Sequence, residues 1–251
     1  MIWQQSIRPK VIDRNSSLIE LNNRIRHKTA KLIEQYQRFA FLSGDHSCAI
    51  GIWGGVMKAL VKVNKRLGLI WIDAHLDAHT NATSPSGNPH GMPVAALLGL
   101  NDPLLDEISA NQPIMDSNQI ILTGIHSYEE VEKQHLDQTG VSYQVMRQVH
   151  RVGLKRLLQN NWKNLSKQCD AIGISIDLDA INPCDAPGVA VPTYNGLKLT
   201  ELLDALSSLP KPIALEVSEF NPYADRKLKT ANSIFKIIRA VFNLPESRKD
   251  P

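Results

Sequence analysis

Six short apolar runs recur along the chain, at Phe39 to Leu42, Leu69 to Ile72, Ile120 to Thr123, Tyr143 to Met146, Ile172 to Ile176 and Ile213 to Val217, with longer segments of helical pattern between them. A run that is apolar at every position, such as Leu69-Ile70-Trp71-Ile72, has two faces to bury, and a parallel sheet covered by helices on both sides buries both. The alternation predicts βα units in a three-layer α/β/α domain with a mainly parallel sheet. Ser17-Leu18-Ile19-Glu20 has the capping-box form, with Leu21, Ile25, Leu32 and Tyr36 following at helical spacing, so a first helix is expected over about 17 to 37. Further helices are expected near 48–66, 91–99, 128–138, 153–167, 199–208 and 230–243. At 251 residues, 43% hydrophobic and 21% charged, the chain suits one domain spanning 1–251.

Ligands of such sheets bind outside the carboxyl ends of the strands, and the polar motifs fall there. His46 lies just past the first run, Asp73, His75 and Asp77 follow the second, and Asp177 and Asp179 follow the fifth. In extended backbone, residues two apart share a side, which predicts that each Asp/His group points one way and that four carboxylates and two imidazoles converge. Unit charges about 4 Å apart repel by roughly 4 kcal/mol per pair at an effective dielectric near 20. Something positive must therefore sit among them. Oxygen and nitrogen ligands without a thiolate suit Mn²⁺ and tolerate Co²⁺, Fe²⁺ or Zn²⁺. Two such ions about 3.5 to 4 Å apart can share a hydroxide and present it as a nucleophile at neutral pH. The pattern predicts a binuclear hydrolase.

A net charge of +3 with no Lys/Arg block argues against nucleic acid and acidic membranes as partners. The three cysteines, Cys48, Cys169 and Cys184, are too few and too scattered for a disulfide framework or a zinc site, so a reducing cytoplasm is expected. MIWQQSIRPK lacks an apolar signal core, and no apolar stretch approaches the roughly 20 residues of a membrane span. Trp53 and Trp71 are read as packing. The segment Ala180 to Gly196, rich in Pro, Gly and Asn, reads as a long ordered loop beside Asp177 and Asp179.

With these residues in view, the chain resembles the ureohydrolases, the arginase and agmatinase family, from about Phe39 to Ala240. Four motifs stand in the family's order: GDHS at Gly44 to Ser47, DAHLD at Asp73 to Asp77, SIDLDAINP at Ser175 to Pro183 with APG at Ala186 to Gly188, and EFNP at Glu219 to Pro222. The stretch Thr83 to Gly99 is similar to the arginase branch in particular. The resemblance implies two Mn²⁺ per chain, one held by His46, Asp77, Asp73 and Asp177 and the other by His75, Asp73, Asp177 and Asp179. It also implies that Asp77 orients the bridging hydroxide, that His90 shuttles a proton to the departing amine, and that Glu219 receives the substrate guanidinium. Ser86 and Asn88 match contacts to the α-carboxylate of L-arginine, Glu129 falls near its α-amino group, Glu132 assists there through water, and His79 stands beside the carboxylate. Hydrolysis to L-ornithine and urea is implied, in a homo-oligomer, trimer or hexamer.

The chain departs from the family at several positions. Ser43 replaces a glycine, His79 an asparagine, His126 an arginine, Asn182 an aspartate, and Ala190-Val191-Pro192 a Gly-Thr-Pro; the strand and glycine-rich loop usual ahead of Phe39 are shortened, so an edge strand is expected to be missing. These leave open a ureohydrolase acting on agmatine, guanidinobutyrate or formiminoglutamate. A metal-binding homologue with little activity is the alternative of another class.

Overall fold

A computed structural model of the chain describes residues 14–36, 38–100, 102–109 and 115–245. Six parallel strands, β1 (Phe39–Leu42), β2 (Leu67–Ile72), β3 (Ile120–Ile125), β4 (Ser142–Val145), β5 (Ala171–Asp177) and β6 (Ala214–Ser218), form one sheet in the order β1-β6-β5-β2-β3-β4. Every expected apolar run became a strand. The centre is most apolar because it is covered twice. In β2 all six residues are buried: Leu67, Leu69 and Trp71 pack into the core on one face, and Ile70 and Ile72 into the core on the other. The first face is closed by α1 (Arg14–Gln35), α2 (Cys48–Val61) and α5 (Glu130–Thr139), and the second by α6 (Met146–Val152), α7 (Leu154–Leu165), α8 (Leu199–Ser207) and α9 (Lys229–Phe242). The three-layer expectation holds.

Four elements differ from expectation. α1 is already helical at Arg14, so Ser17 lies inside it; the end expected at Gln37 falls outside the described residues, and the helix stops at Gln35. Two short helices went unread, α4 (Pro103–Ile108) and α6; the region expected as helix over 91–99 is a 3₁₀ turn, Pro89–Gly91, followed by α3 (Pro93–Leu97). Among the described residues, strand β1 pairs with β6 alone and stands at an edge of the sheet. The strand expected to be missing ahead of it falls largely on residues 1–13, outside the described residues.

Two close approaches hold the α1–α2 layer against the sheet. A Cβ at Gly51 or Gly55 of α2 would lie 2.6 Å from a carbonyl oxygen of α1, Asn22 O or Arg26 O, so only glycine lets these helices touch. Likewise a Cβ on Gly173 of β5 would lie 2.3 Å from Cζ3 of Trp53, so only glycine lets that indole come so close to the strand. No helix among the described residues is long and apolar enough to cross a membrane, and all three cysteines are free.

From β2 the chain steps outward to β3 and β4, then returns to β5 on the other side of β2 and goes on to β6. Successive connections thus leave β2 and β5 in opposite directions, and a crevice opens at their carboxyl ends. The candidate ligands gather in that crevice.

Candidate metal centre

Side chains from the ends of four adjacent strands meet here. His46 comes from the turn between β1 and α2, Asp73, His75 and Asp77 from the segment after β2, Asp177 from the last residue of β5, Asp179 from the 3₁₀ turn that follows (Leu178–Ala180), and Glu219 from the residue after β6. The Nδ1 atom of His46 stands 3.2 Å from Asp73, 3.1 Å from Asp77 and 3.0 Å from Asp177. His75 Nδ1 is 3.1 Å from Asp179 and 3.6 Å from Asp73. Two groups with metal-ligand spacing result, His46 with Asp73 and Asp77, and Asp73 with His75 and Asp179, each with its donor atoms within 4.8 Å of one another. Asp73 belongs to both.

The six residues do converge, but strand alternation is not the cause. β2 ends at Ile72, and Asp77 has φ +52°, in the left-handed region. An aspartate tolerates that conformation better than most residues, and it is pinned there because its carbonyl accepts from Val94 N (3.0 Å) and Ala95 N (3.3 Å) at the start of α3. Asp73 Oδ1 accepts from the backbone N–H of His75 at 2.8 Å, and Asp177 Oδ1 from that of Asp179 at 2.8 Å. These two-residue turns, not a pleat, aim the carboxylates.

A polar layer behind the ligands fixes them further. Trp71 Nε1 donates to Asp73 Oδ2 at 2.9 Å, and its indole stacks on the His46 ring with centroids 4.2 Å apart. His46 Nε2 lies 3.0 Å from Ser175 Oγ, which donates to Glu216 Oε2 at 2.9 Å; Trp53 Nε1 and Ser43 Oγ donate to the same carboxylate at 2.7 and 3.0 Å. Burial raises the Glu216 pKa, and the nearby His46 charge and these donors pull against that effect. The tryptophans are packing residues, as read, and also donors. Sequence reasoning missed Ser175, Trp53, Trp71 and Glu216 as supports because an apolar strand pattern hides which side chains reach a site.

The electrostatics ask for cations. Burial works against a charged His46, yet the carboxylates of Asp177, Asp73 and Asp77 close beside it hold its pKa well above the ordinary value. Burial is likewise overcome at His75, whose contacts with Asp179 and Asp73 push it up to about 12. Burial and then the Asp73 charge push Asp77 up, while burial and then the Asp177 charge push Asp179 up. Asp73, opposed by burial, is held low by the two histidines. Without metal, then, protons must do the compensating. His46 Nδ1, Asp77 Oδ2 and Asp179 Oδ1 are buried with no well-formed hydrogen bond. This donor set fits two divalent ions with oxygen and nitrogen ligands.

The pocket above this floor is lined by His75, Asp77, Asp177, Asp179 and Glu219 below and by His79, Ser84, Ser86, Asn88, His90, Tyr128, Glu129, Glu132 and Val191 around the mouth. Every residue singled out from the sequence as a substrate contact or proton shuttle lies on this lining. Glu219, at φ +64°, accepts from His46 N at 2.8 Å and stands 3.8 Å from His90 Nδ1; burial, then the Asp177 charge, raise its pKa to about 7. Because β6 ends at Ser218, Glu219 lies just past the strand and is set by its own left-handed backbone.

Glu129 and Glu132 have a structural task as well. Glu129 opens α5 and Glu132 caps it: both oxygens of Glu132 are taken by backbone N–H groups, Ala78 N at 3.2 Å and Glu129 N at 2.9 Å. His79 is buried, with Nε2 3.5 Å from Glu132 and 3.7 Å from Glu129. Asn182 still accepts from Cys184 N at 2.9 Å, so its exchange for aspartate keeps the acceptor. His126 hydrogen-bonds Gly124 O at 2.6 Å and is not part of the lining.

The model of the Arginase family matches residues 4–243. An arginase from Bacillus caldovelox is 35% identical over 229 residues, covering 90% of this chain and 75% of that protein. The crystal structure of arginase from Bacillus subtilis superposes with a TM-score of 0.88 at 31% identity, over 97% of this chain and 84% of that one. The formimidoylglutamase of Bacillus subtilis shares the fold, with a TM-score of 0.76 at 22% identity over 92% of this chain and 69% of that one.

Proposed function

Because the chain belongs to the arginase family, we propose that it hydrolyses the guanidinium group of L-arginine to L-ornithine and urea with two Mn²⁺ per chain. The observation that carries this reading is the set His46, Asp73, His75, Asp77, Asp177 and Asp179, all buried but half-buried His75, over-supplied with acid and with three orphaned polar atoms, at the floor of a pocket edged by Glu219 and His90. When bound, the ions supply Lewis acidity: water acidified to react near neutral pH, and positive charge to offset what develops at the guanidinium carbon.

The chain's own groups supply position and proton traffic. Asp77 Oδ2 accepts from the attacking water and aims it. Glu219 receives the guanidinium N–H groups through the lone pairs that His46 N leaves free, and a carboxylate facing a guanidinium gives charge-assisted bonds. His90, half-buried at the mouth, hands a proton to the departing amine as general acid. Ser86 and Asn88 donate to the α-carboxylate, while Glu129, with Glu132 and His79 behind it, receives the α-amino group.

His79 and Val191 at the mouth support a second reading, hydrolysis of agmatine, guanidinobutyrate or formiminoglutamate. We place the protein in a reducing cytoplasm, which its three free thiols support, and as a trimer or hexamer on the family resemblance. The test is urea or formamide release across the four substrates after Mn²⁺ loading, with metal counted per chain. Two ions per chain and fastest turnover of L-arginine are expected; a folded, fully loaded protein that releases no urea from it refutes the proposal.

A further inference from the structure

The geometry points to Arg14 as a positioning residue that makes the pocket select substrates bearing a carboxylate at the end remote from the guanidinium. This rests on the function proposed above and deepens it. Arg14 is the first described residue of α1, far from the metal-binding motifs in sequence, yet its Nη2 donates to Asn88 Oδ1 at 2.9 Å across a separation of 74 residues. Asn88 lines the mouth of the pocket.

A side-chain amide has one accepting and one donating end, and the two can exchange by a flip of the amide. A guanidinium has only donors. Arg14 therefore settles which end of Asn88 faces it: the oxygen is drawn to Arg14, and the NH₂ group is left to serve the pocket. The neighbouring hydroxyl is disposed the same way, since Ser86 Oγ already accepts from Asn88 N at 3.2 Å and keeps its own proton to donate. Both groups on this side of the mouth are thus set as donors, beside an exposed positive charge. Glu129 and Glu132 put acid elsewhere around the mouth, and the floor is acidic too. An anionic end is welcomed at one place, and an ammonium there finds donors and a like charge.

The pocket so arranged sorts the three charges of a guanidino amino acid: guanidinium to Glu219, ammonium to Glu129, carboxylate to Asn88 and Ser86. Agmatine, which lacks the carboxylate, gains nothing from the orientation of Asn88. Arg14 need not touch substrate for this effect.

The test uses the Mn²⁺-loaded full chain with Arg14→Ala, Arg14→Lys, Asn88→Ala and the double variant Arg14→Ala/Asn88→Ala, each checked for folding by circular dichroism. Arg14→Ala is expected to raise KM for L-arginine about five- to tenfold, the size of effect that one hydrogen bond supports, with kcat within about twofold. Arg14→Lys, which keeps a donor and the charge, should recover most of the loss. The double variant should be no worse than Asn88→Ala alone, because Arg14 acts through that amide, and the preference for L-arginine over agmatine should fall with KM. An unchanged KM in Arg14→Ala, multiplicative losses in the double variant, or an equal loss for agmatine each overturn the inference. If the parent protein releases no urea from L-arginine, it is the functional reading that falls, and this inference with it.

Discussion

At the floor of the pocket His46, Asp73, Asp77, Asp177 and Asp179 are each at most 5% exposed and each is held by further partners, whereas at the rim Ser86 and Glu129 are exposed and Asn88 and His90 half-buried. Two of the departures from the family pattern, His79 and Val191, also sit around the rim. The contrast teaches that the two regions answer to different constraints. Four buried carboxylates tolerate little movement, because each lost partner strands a charge in a poorly solvated place. The exposed rim groups are backed by water, so they can be exchanged at small cost, and substrate choice is free to vary above a fixed reaction centre.

The largest test of that contrast is Asp177→Asn. It should lower kcat/KM for L-arginine by at least about 10³-fold, more than the 10- to 100-fold expected of outer partners, and metal analysis should find fewer than two ions per chain. Retention of both ions and most of the activity would break the distinction between floor and rim.

Metal removal should come next. Two tightly held ions stabilise the folded state by about 4 kcal/mol or more at a thousandfold excess over Kd, so chelation should lower the melting temperature by about 10 °C. The sign of the pH dependence follows from the proton count. In the metal-free protein His46, His75, Asp77, Asp179 and Glu219 all have raised pKa values, so the folded state holds more protons than the unfolded one and loses stability as pH rises. For Glu219 the loss runs from its ordinary 4.5 to about 7, and for His75 from 6.5 towards about 12. Asp73, held low, has its full effect above about pH 5 and is constant thereafter. The gap in melting temperature between loaded and stripped protein should therefore widen between pH 6 and pH 9. Calorimetry at three pH values checks it, and a gap that narrows would mean the acids are not the source of the instability.

The smallest effect is expected at the rim. His79→Asn should change kcat/KM for L-arginine by less than about tenfold, with metal content and melting temperature unmoved. A collapse of metal binding in that variant would show that the rim shares the constraints of the floor.

The strands were legible because double burial leaves β2 wholly apolar and β3 and β5 nearly so, and the six candidate ligands were legible because Asp-x-His-x-Asp, Asp-x-Asp and the histidine of GDHS stand at or just past strand ends. The reason given for their convergence was wrong in detail, since turns at Asp73, Asp77 and Asp177 do what a pleat was expected to do. α4 carried a readable start, Asp102 capping Leu104 N and Leu105 N with Pro103 behind it, while α6 is a single short stretch between β4 and α7 with too few residues to show a period. Arg14, Ser175 and Glu216 could not be found as supports from spacing, because each acts through hydrogen bonds to partners tens of residues away.

The tight fit of Trp53 over Gly173 makes the reaction centre vulnerable from a direction that holds no chemistry. Any side chain introduced at that glycine would dislodge the indole, and Glu216 would lose a donor, then Ser175 its anchor, then His46 its tether. Among natural variants of this protein, an innocuous-looking glycine-to-alanine change in the middle of a greasy strand would then count as an active-site lesion.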